Sequence, residues 1–228
     1  LPTRFKEWDA EGTSNASLME LNDMSSLTSL TICVPNAASL PIDMPVHQLV
    51  RFVIHLGKNW PWKDDFTEAR TLKLEFDSNN STRLIWKEWV QTTLRKTRDL
   101  YLHGWIGFEE SITELSQEGF PELRHLHVEN CPSVQYIIHS KELHAVPVLE
   151  TLFLFGLTNL RKLCQSDHPH NYFENLKVIK IEACDELKNL FISTSLVKSL
   201  PNLEEIDVSD CIMIEEIISY TEMDAIVD

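Results

Sequence analysis

The fold class this sequence predicts is an α/β solenoid with one parallel sheet, and two observations predict it. The first is a spacing. Phe120, Leu123, Leu126, Val128, Cys131, Val134 and Ile137 stand at intervals of three, three, two, three, three and three, and three later stretches repeat those intervals. They run through Val146, Leu149, Leu152, Leu154, Leu157, Leu160 and Leu163; through Phe173, Leu176, Ile179, Ile181, Cys184, Leu187 and Leu190; and through Leu200, Leu203, Ile206, Val208, Cys211, Ile214 and Ile217. The second is the period itself. A unit of ~20 to 29 residues cannot bury an apolar layer alone, so neighbouring units must stack into one elongated core.

The unit has the form of a leucine-rich repeat. Its apolar-x-apolar step, Leu126 and Val128 in the first full copy, is a strand signal of period two. Those side chains point into the solenoid and the residues flanking them point out. The apolar residues after Cys131 come at spacings of three, which suits short helices or 3₁₀ turns on the convex side. Weaker copies lie upstream: Met24, Leu27, Leu30, Ile32; Val46, Leu49, Phe52, Ile54; Phe66, Ala69, Leu72, Leu74; and Leu94, Thr97, Leu100, Leu102. The first leucine slot then falls at 27, 49, 69, 97, 123, 149, 176 and 203, which makes eight repeats. The expected architecture is a horseshoe with a parallel concave sheet of about eight strands. Residues 1–23 are a lead-in or partial cap, and 24–228 are the solenoid.

Along the chain, the polar stretch after Trp8 has no periodicity. Leu56 to Asp65 is a tryptophan-bearing insertion with Trp60, Pro61 and Trp62. A convex helix is expected from Ser81, with Leu84, Ile85, Trp86, Trp89 and Leu94 turned inward. Pro121, Pro147 and Pro201 follow the first slot of three copies and are expected to mark helix ends. Cys131, Cys184 and Cys211 share one slot, where a thiol fills a small buried site and donates weakly to a turn carbonyl. The last copy keeps apolar residues at every inward slot and has no polar cap, so the C-terminal end is expected to be truncated. The chain begins at Leu1, with no initiating Met or secretion signal, and reads as an excised domain.

Composition excludes several classes. The net charge of −15 argues against a nucleic-acid partner, and no apolar run is long enough to span a membrane. The excess acid is uneven: from Ser199 to Asp228 there are nine Asp and Glu residues and no Lys, Arg or His. That run is either a solvated, solubilising end or a surface that docks a basic partner. Five unpaired-looking cysteines without zinc spacing fit a reducing compartment. No nucleophile elbow, zinc-protease motif or phosphate-binding glycine loop is present, so no catalytic residue, cofactor or metal is expected. The adjacent pairs Glu109-Glu110, Glu204-Glu205 and Glu215-Glu216 point their carboxylates apart.

The functional surface of such a horseshoe is its concave sheet, where outward side chains form columns. The central column reads Thr31, Val53, Lys73, Tyr101, His127, Phe153, Lys180, Asp207. Beside it run Cys33, His55, Glu75, His103, Glu129, Phe155, Glu182, Ser209, and on the other side Ser29, Arg51, Thr71, Asp99, His125, Thr151, Val178, Glu205. Tyr101, His127 and Phe153, flanked by Lys73 and Lys180 and bordered by His103, His125, Glu129 and Phe155, form the candidate protein-binding surface. Exposed aromatics ringed by charge favour protein interfaces, although the same side chains can equally cover one another. If they are exposed, replacing Tyr101 and Phe153 by Ala abolishes recognition with little change in stability.

Several segments resemble the leucine-rich-repeat region of plant coiled-coil nucleotide-binding leucine-rich-repeat (NLR) disease-resistance proteins. They are Asn15 to Leu21 followed by Leu27-Thr28-Ser29-Leu30-Thr31-Ile32, Arg51-Phe52-Val53-Ile54, Thr97 to Leu102, Gly119 to Leu126 and Cys184 to Phe191. The resemblance implies a cytoplasmic recognition and autoregulatory domain rather than an enzyme. Its implied partners are a pathogen effector or guarded host protein and, within the full receptor, a nucleotide-binding domain. That domain's phosphate-binding motif is absent from this chain. Cysteines in a shared slot are also similar to those of F-box ubiquitin ligases, whose substrate-receptor arm is the alternative. A secreted or receptor-kinase horseshoe comes third, since paired cap cysteines are missing.

Overall fold

The computed structural model describes residues 18–35, 40, 43–57, 70–76, 87–106, 111–116, 118–139, 146–165, 173–191 and 200–218. Eight strands form one parallel sheet: β1 (Ser29–Val34), β2 (Arg51–Leu56), β3 (Arg70–Glu75), β4 (Asp99–His103), β5 (His125–Glu129), β7 (Thr151–Phe155), β9 (Val178–Glu182) and β11 (Glu205–Ser209). They lie side by side in chain order, one per repeat. Three short strands, β6 (Tyr136–Ile138), β8 (Lys162–Cys164) and β10 (Asn189–Phe191), run between the later ones and a fourth, β12 (Glu216–Ile218), follows the last, paired as β6–β8 and β10–β12. The molecule is the expected leucine-rich-repeat horseshoe, with its core between the concave sheet and the return segments.

The core follows from the repeat frame. Each inward pair from Leu72 and Leu74 to Ile179 and Ile181 is buried against the equivalent pair of its neighbours. Layers of branched aliphatics in register give each strand apolar contacts on both sides, at ~25 cal/mol per Å² removed from water. Phe120, Val146, Phe173 and Leu200 are buried too, and each accepts a backbone hydrogen bond from the residue three positions on. Pro121, Pro147 and Pro201 therefore occupy the second position of a tight turn, where their fixed φ is favourable.

Three expectations need correction. First, Ile54 pairs with Leu72 and Leu56 with Leu74, so the step from β2 to β3 is two residues shorter than the frame suggested. Cys33 and His55, not Thr31 and Val53, therefore stand in line with Lys73 and Tyr101. A two-residue slip keeps every side chain on its own face, so alternation alone could not detect it. Second, the helix α1 spans Glu88–Lys96 rather than starting near Ser81. Lys87, at φ −67° and ψ 136°, is extended and stands immediately before the first helical residue. Trp89, Val90, Thr93 and Leu94 form its buried stripe, as expected for Trp89 and Leu94. Third, the spacing of three after the cysteine slot gives a single turn followed by a strand in the C-terminal repeats, as where Val134 donates to Cys131 O just before β6. A 3₁₀ turn does occur at Ile112–Leu115. Residues 1–17, the Trp60 and Trp62 insertion and residues 81–86 lie outside the described residues. Among the described residues no helix is long and apolar enough to cross a membrane.

Strand ends are fixed by local backbone chemistry. The residue after β4, β5, β7, β9 and β11 is Gly104, Asn130, Gly156, Ala183 and Asp210, each at a φ between 51° and 72°. A Cβ on Gly104 would lie 2.9 Å from Phe76 O. The next slot is secured by sulfur: the Cys131 thiol donates to Glu129 O at 3.2 Å and accepts the Trp105 N–H at 3.3 Å. Cys184 and Cys211 make the same bond to the carbonyl two residues back. Burial pushes the Cys131 and Cys184 thiols up to about 12, which keeps them protonated donors.

Two predictions follow from this geometry. Gly104→Ala lowers stability by about 1 to 2 kcal/mol, read from the urea midpoint, whereas Ala183→Gly is neutral or stabilising because it removes a side chain from a left-handed residue. Ile206 is 40% exposed and β11 ends the main sheet, so amide exchange in β11 and β12 is the fastest among the strands. Protection there equal to that of β5 would contradict the exposed end layer.

Candidate concave-face site

In-register parallel strands lie ~4.8 Å apart, so outward side chains at equivalent positions meet along rows. The middle row runs from Lys73 on β3 through Tyr101, His127, Phe153 and Lys180 to Asp207 on β11. Tyr101 and His127 stack at 4.2 Å, nearly parallel, and His127 meets Phe153 edge-on at 4.6 Å. A lysine stands at each end: Lys73 Nζ is 4.7 Å from the Tyr101 ring centre and Lys180 Nζ 5.8 Å from that of Phe153. A cation over a ring contributes ~0.5 to 2 kcal/mol, most where water is excluded. The row is thus a capped stack.

Its exposure is graded. Lys73, Tyr101 and His127 are 2%, 1% and 3% exposed, while Phe153 and Lys180 are half-buried and Asp207 is exposed. The expectation of an exposed aromatic patch is corrected for Tyr101 and His127, because in-register rings cover one another. The expectation that Tyr101→Ala leaves stability unchanged falls with it. Truncating so buried an aromatic costs about 3 to 5 kcal/mol.

On one side of the stack lies a row of polar side chains, Thr71, Asp99, His125 and Thr151, all buried. Thr71 Oγ1 donates to Asp99 Oδ2 at 3.1 Å, His125 Nε2 stands 3.9 Å from Asp99 Oδ1, and His125 Nδ1 bonds Thr151 Oγ1 at 2.7 Å. Buried polar groups require such partners. The sequence placed Asp99, Thr71 and Thr151 only as column members; alternating polar residues in adjacent copies were the available signal for a bonded row. The other flanking row holds Glu75, His103, Glu129, Phe155 and Glu182, the first four half-buried and Glu182 exposed. Burial raises the Glu129 carboxyl above its usual range, with His103 opposing.

At the leading edge of the sheet, ion pairs tie repeats together. Glu122 pairs with Arg70 and Arg98, and Glu150 with Arg124 and Lys177, the latter at 2.9 and 2.8 Å. Lys177 holds the Glu150 carboxyl below its usual range. The face therefore has a closed centre at β3–β5, a bonded polar flank and an open end at β7–β11.

A family described as plant disease resistance protein RPS2-like, leucine-rich repeats, matches residues 70–212. An Arabidopsis thaliana protein described as a probable disease resistance protein is 28% identical over 123 residues, which is 53% of this chain and 13% of that protein. The chain thus matches a small part of that relative's length. No solved structure is significantly similar to it.

The His127 ring provides a test of the stack. Burial, with repulsion from His125 and Lys73, pushes its pKa down to about 3. An unfolded imidazole titrates near ~6.5, so below that pH the unfolded chain takes up a proton that the native chain refuses. This contribution to stability is complete above the unfolded value and is lost as pH falls toward 3. His127→Phe keeps a ring in the row and removes the proton. Between pH ~6.5 and ~5 the native chain should lose stability relative to the variant by about 1.4 kcal/mol per pH unit, measured by urea unfolding; a pH-independent difference would contradict the buried neutral imidazole.

Proposed function

The chain belongs to the RPS2-like leucine-rich-repeat family of plant disease resistance proteins, and on that premise we propose that it is the recognition and autoregulatory domain of an intracellular immune receptor. Leucine-rich-repeat domains of this kind mediate protein–protein interactions. The proposed partners are a pathogen effector or the host protein it modifies, met on the concave face, and the receptor's own nucleotide-binding domain. The role is binding rather than catalysis, in the cytoplasm and without nucleic acid. The proposed contact residues are the half-buried His103, Glu129, Phe153, Phe155 and Lys180, supported from beneath by Lys73, Tyr101, His125 and His127.

One observation carries the reading. Inward positions hold the same kind of residue in every repeat, whereas the middle outward row changes from lysine to tyrosine, histidine, phenylalanine, lysine and aspartate across six strands. Packing demands the first, and in the second it holds the buried Lys73, Tyr101 and His127, which leaves the half-buried Phe153 and Lys180 and the exposed Asp207 available for a specific partner. Membership of the family favours this over the substrate-receptor arm of an F-box ubiquitin ligase.

The test is transient expression in leaves of the receptor that carries this chain, challenged with the pathogen strain it responds to. Phe155→Ala with Lys180→Ala should abolish localised cell death while protein abundance and the urea midpoint change little, since both side chains are half-buried. An undiminished response in that double variant would sink the concave-face reading.

A further inference from the structure

Two of the three slot cysteines stand in consecutive repeats. Cys184 and Cys211 follow β9 and β11, which pair directly, whereas Leu157 fills the slot of the repeat between Cys131 and Cys184. The backbones stay in step past the strand ends: Ala183 N donates to Ser209 O at 3.2 Å, and Cys184 N donates to the Cys211 sulfur at 3.4 Å. Neighbouring strands lie ~4.8 Å apart, inside the span of ~4.4 to 6.8 Å between Cα atoms that a disulfide bridges. Cys131, two strands away from Cys184, is beyond that reach. The Cys184 and Cys211 side chains are also in hydrogen-bond contact with each other. Their surroundings differ. Cys184 is buried, and its pKa of about 12 keeps the thiol protonated. Cys211 belongs to the last layer of the sheet and is only half-buried, so solvent reaches it. The buried Leu157 shows that packing in this slot does not require sulfur.

We propose that Cys184 and Cys211 form a redox-active pair, oxidised by hydrogen peroxide to a disulfide that ties the last two repeats together. In the first step the Cys211 sulfur attacks one peroxide oxygen: the S–O bond forms, the O–O bond breaks, and the other oxygen leaves as water with the thiol proton. In the second the Cys184 sulfur attacks the Cys211 sulfur: the S–S bond forms, the S–O bond breaks, and the hydroxyl leaves as a second water with the Cys184 proton. The two sulfurs lose two electrons between them and the peroxide gains them. Burial sets the order, since peroxide meets Cys211 first and Cys184 only resolves the sulfenic acid. The bridge gives up the two S–H···O bonds that hold the reduced pair, to Glu182 O and Ser209 O. A thiol reductant therefore reverses it. Neither remaining cysteine competes, because Cys33 lies on β1 at the far end of the sheet and Cys164 on β8 is buried.

The test uses the 228-residue chain carrying Cys33→Ser, which removes the exposed thiol through which two copies could link. The chain is treated with millimolar hydrogen peroxide, alkylated, digested with trypsin and read by mass spectrometry. The expected product is one cross-linked pair of peptides joined through Cys184 and Cys211, released by dithiothreitol, with Cys131 and Cys164 recovered as thiols. Adding Cys184→Ser should leave Cys211 as a sulfenic acid that dimedone traps, whereas adding Cys211→Ser should leave Cys184 unoxidised. In the cross-linked chain, amide exchange in β11 and β12 should slow by tenfold or more, because the bridge closes the loop that contains β10 and β11; peroxide should not slow it in the variant with Cys184→Ser. Oxidation of Cys211 to sulfinic acid beside a free Cys184 thiol, a bridge to any other cysteine, no oxidation at Cys211, or a bridge that leaves exchange unchanged overturns the proposal.

Discussion

Everything in this molecule depends on the fact that one repeat cannot cover its own apolar layer. Leu126 and Val128 are buried because Leu100 and Leu102 lie on one side and Leu152 and Leu154 on the other. That requirement forces the strands into register, and register then lines up the outward side chains whether or not they were selected to meet. The ring stack through Tyr101, His127 and Phe153 is a by-product of the same stacking that buries the leucines. Where the stacking stops, at β11, inward residues such as Ile206 are left half-uncovered.

The leading-edge ion pairs and the cysteine slots act on this stack from its margins. Glu150 is held by one cation from its own neighbourhood on each side, Arg124 and Lys177, so a single carboxylate ties three successive repeats. Such exposed pairs contribute only ~0.2 to 1 kcal/mol each, and their value lies in fixing register rather than in stability. The thiols do similar work inside, where Cys131 satisfies the carbonyl at the end of its own strand and the Trp105 N–H of the repeat before it. A leucine in that slot, as at Leu157, fills the volume but cannot bond.

Much of this was legible in the sequence. The strands from β4 onward were readable because Leu100, Leu126, Leu152, Ile179 and Ile206 keep one frame, and their pairing confirms it. The join between β2 and β3 was not, since the three inward residues of β2, Phe52, Ile54 and Leu56, offer two alignments with the two of β3, Leu72 and Leu74, that bury the same face. For the candidate site, the neighbours were legible and their accessibility was not. A spacing rule says that Tyr101 and His127 are adjacent; it does not say that two rings 4.2 Å apart exclude water from each other. Nor could it show that Asp99 and His125 belong to a bonded row, because that depends on side-chain reach across strands.

The chain leaves the sheet at a fixed turn, left-handed after β4, β5, β7, β9 and β11, which separates each of these strands from the return that follows it. Successive strands align although the distance along the chain from Ile54 to its partner Leu72 differs from that between Leu72 and Leu100 by ten residues. Length differences are absorbed on the return path, between that turn and the next strand, and never reach the columns. A gene encoding such a chain can therefore gain, lose or exchange material in the returns, or recombine whole repeats, without putting the rows out of phase. The reading face can be rewritten one column member at a time while the scaffold that presents it stays unchanged.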